Sequence, residues 1–163
     1  RLARNVNGSE PARKKRICAV DSEIISRCRM HDTGYMMVKT QSYDDLEIYG
    51  LAKELAVMVH RITLEKLPKF EMYEEGSQIR RSSKSIAANI VEGFGRRRYK
   101  NEFVQFLTYA VASCDETKSH LEMLHETGSL QKGAFEKLFQ GYKELGAKLF
   151  NFREAVIKNH RTS

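Results

Sequence analysis

The chain has 163 residues, 41% hydrophobic and 30% charged, with a formal net charge of +7 at pH 7. That balance fits one domain with a buried core and excludes wholesale disorder. No run approaches the roughly 18 apolar residues a bilayer-spanning helix needs, and no charged-then-apolar leader opens the chain, so the expected setting is cytoplasmic with no membrane partner. Cys18, Cys28 and Cys114 are odd in number and lack CxxC spacing, which argues against a disulfide scaffold or a zinc site.

Residues 1–41 hold nine Lys/Arg against four Asp/Glu and show no sustained hydrophobic period. They combine a polar opening (Asn5, Asn7, Gly8, Ser9, Pro11), a basic run (Arg13, Lys14, Lys15, Arg16) and a turn-like His31-Asp32-Thr33-Gly34. Position 1 is not Met, and Met30, Met36 and Met37 are alternative starts. This composition predicts a poorly ordered, basic N-terminal extension that need not be native. Its functional alternative is an arm whose cations meet phosphates. Residues 42–163 are far closer to neutral, with nineteen Lys/Arg against seventeen Asp/Glu.

No proline follows Pro68, which favours long helices beyond it. Ser42 can cap a helix from Tyr43, and Asp44, Asp45 and Glu47 complement its positive end. Ile48, Ala52, Leu55, Val59 and Ile62 then recur at steps of three and four, one helix face. Leu67-Pro68-Lys69 ends it. A second helix spans roughly Glu74 to Glu92, with Ile79, Ser83, Ile86 and Ile90 on one face. Its small residues Ser82, Ser83, Ser85, Ala87 and Ala88 would admit a close neighbour, and Gly93 and Gly95 are expected to stop it.

A third helix runs from about Lys100 to Glu126, with Phe103, Leu107, Ala110, Cys114, Thr117, Leu121 and Leu124 in heptad-like steps. Gly128 is a natural left-handed stop. Ser129 can cap a fourth helix carrying Phe135, Leu138, Tyr142, Leu145, Leu149, Phe152 and Val156. Such seams pack along their whole length, and the Thr127–Ser129 turn is short enough to force a hairpin. The expectation is all-α: an antiparallel up-down-up-down four-helix bundle over 42–163, preceded by the extension over 1–41. Phe94, Phe106, Tyr109, Phe139 and Phe150 lie beside the seams, as part of either a broad core stripe or a subunit interface.

Few residues suggest chemistry. A di-iron bundle needs two Glu-x-x-His pairs. Glu122 and His125 form one, whereas His60 follows Val57 and His120 follows Thr117 at that spacing. His120 reads as a surface partner of Glu116. Cys114 reads as a small buried thiol. Glu92-Gly93-Phe94-Gly95-Arg96 lacks the preceding strand and the Gly-Lys-Ser/Thr of a P-loop. No catalytic set assembles, so a non-enzyme without metal or cofactor is expected.

The positive charge of the body concentrates between Arg80 and Lys100, where seven cations meet Glu92 alone. The candidate nucleic-acid contacts are Arg80, Arg81 and Lys84 on the second helix, and Arg96, Arg97, Arg98 and Lys100 at the following turn. Gly-Phe-Gly, three arginines and a helix N-terminus at Asn101 suggest an anion site, with Phe94 and Tyr99 available to stack on bases. The alternative is a glycine-permitted turn rimmed by solvated arginines.

The stretch Ser77-Gln78-Ile79-Arg80-Arg81-Ser82-Ser83-Lys84-Ser85-Ile86-Ala87-Ala88-Asn89-Ile90-Val91-Glu92-Gly93-Phe94-Gly95-Arg96 resembles the bacterial four helix bundle protein family, first known from intervening sequences within 23S rRNA genes. Ser42-Tyr43-Asp44-Asp45-Leu46 resembles that family's opening and Glu102-Phe103-Val104-Gln105-Phe106-Leu107 its third-helix start. Ala87 stands where the family often has proline, and Ala112-Ser113-Cys114-Asp115-Glu116 is a loose match to its Gly-Ser-x-x-Glu. The resemblance covers about Ser42 to Val156. It implies a bundle often assembled as a homopentameric ring. Its gene context, and a related basic pentamer of diversity-generating retroelements, imply dealings with RNA or DNA. The alternative is a structural oligomer that binds a protein partner. A gene inside rRNA could also gain its upstream extension by translation of flanking sequence.

Overall fold

The computed structural model describes residues 42–159. The predicted extension over 1–41, with its Arg13–Arg16 run, lies outside them. A 3-10 turn, Tyr43–Asp45, precedes four helices: α1 (Glu47–Glu65), α2 (Glu75–Gly95), α3 (Lys100–Glu126) and α4 (Lys132–Asn159). Consecutive helices pack on each other and α4 packs back on α1, which closes the predicted four-helix bundle.

The predicted seams line its core. All seven named α3 positions are buried, as are Leu138, Tyr142, Leu145, Leu149 and Val156 of α4. From α1 come Ile48, Ala52, Leu55 and Val59, and from α2 Ile79, Ile86 and Ile90. Burying each such large apolar side chain contributes roughly 1.5–3 kcal/mol, which is why the periodic stripe dictates the fold.

The helix ends depart from the sequence expectation in three places. Ser42 does form a capping box: its hydroxyl accepts from the Asp44 N–H at 3.3 Å, and Asp45 accepts from the Ser42 N–H at 3.1 Å. That box closes only the 3-10 turn. Leu46 then turns to extended dihedrals and buries its side chain, so α1 starts at Glu47. Ser129 does not cap α4, because its hydroxyl donates to Glu71 in the α1–α2 connection at 2.9 Å. The Gln131 carbonyl instead receives the Ala134 and Phe135 N–H groups.

The third departure is in α2, which runs through both glycines to Gly95. Gly93 is needed for approach: a Cβ there would sit 3.0 Å from Phe106 Cβ and 3.2 Å from the Phe103 ring. The left-handed stop is at Gly128, with φ +74° after α3, where the Leu130 N–H bonds back to the Leu124 carbonyl at 2.8 Å.

Two glycine substitutions separate packing from propensity. Gly50, in the α1 interior, has open space where a Cβ would go. Gly50→Ala is expected to raise stability by about 0.5–1 kcal/mol through helix propensity. Gly93→Ala gains the same propensity yet pushes on α3, and is expected to lower stability by about 1 kcal/mol or more. Urea unfolding measures both, and a stabilised Gly93→Ala would show that α3 gives way freely.

Candidate nucleic-acid interface

The seven predicted cations occupy different environments. Arg80 is half-buried and turned inward. Its Nη2 donates to the Met72 carbonyl at 2.7 Å, and Nη1 is enclosed without a hydrogen-bond partner among the described residues. This arginine staples the α1–α2 connection to α2 and offers little to a phosphate. Arg81 and Lys84, one turn apart on α2, are exposed and make no hydrogen bond or ion pair among the described residues.

At the α2–α3 corner the Arg96 and Arg97 guanidinium groups turn to different partners within the chain. Arg96 Nε donates to Glu92 at 2.7 Å and Nη1 to Glu102 at 2.9 Å, while its guanidinium lies 5.3 Å from the Phe106 ring centre. The hydrogen bonds it donates to Glu102 and then to Glu92 hold it further in its charged form. Glu102 also stands in the first turn of α3, where an anion complements the helix dipole. The place predicted for an external anion is thus already served by a carboxylate of the chain.

Arg97 donates to the Phe94 carbonyl at 2.9 Å and stacks 4.1 Å from the Phe94 ring centre. Phe94 is only 6% exposed, so it belongs to the core and cannot stack on a base. Tyr99, 63% exposed, can. Arg98 beside it is exposed, and Lys100 opens α3 half-buried.

A second basic surface lies between α1 and α2. Lys53, Ala56, Val57, His60 and Arg61 of α1 and Lys84 and Ala87 of α2 line a groove of about 360 Å³. No carboxylate is among these lining residues. Sequence reasoning missed Lys53 and Arg61 because they lie outside the basic stretch. The signal was there in the spacing of 53, 56, 57, 60 and 61, the outward counterpart of the α1 core stripe.

The remaining candidates for chemistry are structural. The Cys114 Sγ is fully buried 3.4 Å from the Tyr142 carbonyl, and burial pushes its pKa up to about 11. The Tyr142 hydroxyl is enclosed beside Ser83, and burial pushes it up as well. His120 Nδ1 lies 2.5 Å from Glu75 of α2, a contact between helices, while the predicted Glu116 is 3.7 Å from Nε2. Glu122 is exposed, and His125 stacks on Phe135 with ring centres 4.3 Å apart. Among the described residues no cluster of His, Cys, Asp or Glu could hold a metal ion, and no helix is long and apolar enough to cross a membrane.

Residues 44–151 match the family model described as 23S rRNA-intervening sequence protein. The chain belongs to that family. Among solved structures it is similar to a protein of unknown function from the S23 ribosomal protein family of Bacteroides thetaiotaomicron, at 23% identity and a TM-score of 0.61. The match covers 66% of this chain and 95% of that one, and at this identity it speaks for the fold alone. No curated protein matches the chain. For a member of the 23S rRNA-intervening sequence protein family, the bundle and its two basic surfaces are the features to explain.

The environments of the arginines give a direct test. Arg80→Ala removes a hydrogen bond from a charged donor and is expected to lower stability by about 1–2 kcal/mol. Arg81→Ala is expected to leave the urea midpoint unchanged. Equal midpoints for the two would remove the distinction between a structural and a surface arginine.

Proposed function

We propose that this protein binds RNA without catalysing a reaction, through the cations on the outer side of the α1–α2 hairpin. The observation that supports this best is the groove, where Lys53, Arg61 and Lys84 from two helices meet with no opposing carboxylate in the lining. Arg81 extends this surface by one turn, and Arg98 with Tyr99 adds an exposed cation and ring at the α2–α3 corner. Arg80, Arg96 and Arg97 are assigned to the fold instead. The family takes its name from intervening sequences of 23S rRNA, which makes RNA the first nucleic acid to test.

Assembly would strengthen the surface. Tyr109 and Phe150, 46% and 49% exposed, are large apolar groups that a second copy could cover. A ring, a homopentamer as the family resemblance implies, would repeat the groove in every subunit and turn weak sites into a multivalent surface. The same exposed groups support the second reading, a scaffold oligomer that binds a protein partner. The near balance of acids and bases over 42–163 favours it too.

Fluorescence anisotropy of the full chain with single-stranded RNA across a salt series separates the readings. Three phosphate contacts per site predict a log–log slope of roughly −2, at about −0.7 per contact. Lys53→Gln/Arg61→Gln/Lys84→Gln is expected to flatten that slope, and Arg96→Gln to leave it unchanged. Binding that survives the groove triple but vanishes when Arg13, Lys14, Lys15 and Arg16 become Gln would assign RNA to the N-terminal run. No binding in any variant would favour the scaffold.

Light scattering at micromolar concentration is expected to give a multiple of the chain mass, with five the number the family resemblance implies. A monomer would leave Tyr109 and Phe150 as ordinary surface groups and the groove a single site.

A further inference from the structure

The groove has two chemically distinct parts. Its apolar part, the floor, is formed by the buried Ala56, the half-buried Ala87 and the more exposed Val57. Its cationic part, the rim, is the exposed Lys53 and Arg61 of α1 and the exposed Lys84 of α2, beside the exposed His60; because α2 runs back along α1, Lys84 lies nearer the Arg61 end than Ala87 does. Eight residues separate Lys53 from Arg61, about 12 Å along the helix axis at 1.5 Å per residue. Long, flexible Lys and Arg side chains reaching inward from the two positions can meet the phosphates on either side of one base placed on the apolar residues between them.

Size selects among occupants. At about 360 Å³ the groove is at the lower end of the range for small-ligand pockets. It can seat one planar heterocycle, but not a helix, whose diameter with side chains is about 10–12 Å. A duplex keeps its bases stacked inside and offers only its phosphate backbone. It would engage Arg81, Lys84 and Arg61 yet leave the alanine floor wet. An unpaired nucleotide fills both parts: its base displaces water from the floor, as apolar side chains do when they hold an extruded base, and its phosphates meet the rim.

We infer that the α1–α2 groove seats a single unpaired nucleotide of an RNA strand, with the base on Ala56, Val57 and Ala87 and the flanking phosphates on Lys53 and on the Arg61–Lys84 pair. This rests on the RNA-binding reading above and adds what part of the RNA is held. The two small residues are then functional: alanine at 56 and at 87 creates the depression, and any larger side chain at the half-buried position 87 fills it.

The test uses the full chain at fixed salt with three ligands of equal length: a single-stranded RNA, the same strand annealed to its complement, and an abasic strand of ribose phosphates. The intact single strand is expected to bind about tenfold or more tightly than the other two. Ala87→Leu is expected to bring intact-strand affinity down to the abasic level while leaving the salt slope unchanged, because the cations stay in place. Its urea midpoint shows whether it folds, and if it does not, the intact-to-abasic preference of Tyr99→Ala, which removes the exposed ring at the α2–α3 corner, decides the point: a preference that persists keeps the base in the groove, and one that vanishes moves it to Tyr99. Equal affinity for intact and abasic strands, a preference for the duplex, or an unaffected Ala87→Leu would overturn the base seat and leave RNA binding standing. Absence of binding by every ligand would remove both.

Discussion

The close contact between α2 and α3 is the constraint on which the rest of the molecule depends. It is lined by small residues: Gly93 lies against Phe103 and Phe106, the Ser85 and Ser113 hydroxyls are 3.0 Å apart, and those of Ser82 and Thr117 are 2.8 Å apart. Short side chains let the two backbones approach, and their hydroxyls find partners in each other or in a carbonyl of the preceding turn. The buried hydroxyls of this interface are thus satisfied in their hydrogen bonds. The His120–Glu75 contact joins the same two helices.

This approach also decides what the α2–α3 corner can do. With the helices held close, Glu92 at the end of α2 and Glu102 at the start of α3 both reach Arg96. Phe94 is driven into the core, and the Arg97 guanidinium covers its ring. Charge that reads as a dense positive cluster along the chain is therefore partly neutralised within the fold. Arg98 stays exposed at this corner, and the exposed Lys53, Arg61 and Lys84 lie on the face α2 shares with α1. There Ala87, one of the small residues predicted to admit a neighbouring helix, lines the groove instead.

The similar solved structure keeps the same fold at 23% identity. That is the tolerance expected of a core specified by apolar periodicity and volume rather than by particular side chains. A surface groove is under a weaker constraint, because apart from the buried Ala56 its lining positions border the core stripe rather than belong to it. What the bundle supplies is a rigid pair of antiparallel helices on which a binding surface can be set.

The sequence alone determined the bundle, because each helix carries its burial pattern at local spacing. The steps Phe103 to Leu124 and Leu138 to Val156 are read within one helix, and all of those positions except the half-buried Phe152 are buried. Gly128 was legible for the same reason, since a left-handed stop is a local demand. Tertiary structure decided where competing partners pulled a residue away from its local role. Ser129 could cap α4 but found Glu71 of another connection, and Gly93 could end α2 but was needed for the approach of α3. Leu46 gave up helical geometry to enter the core. The proposed binding surface belongs to this second class. Lys53 and Arg61 meet Lys84 only when α1 folds back along α2, and whether an arginine faces solvent or a carboxylate depends on side chains that the chain order keeps apart.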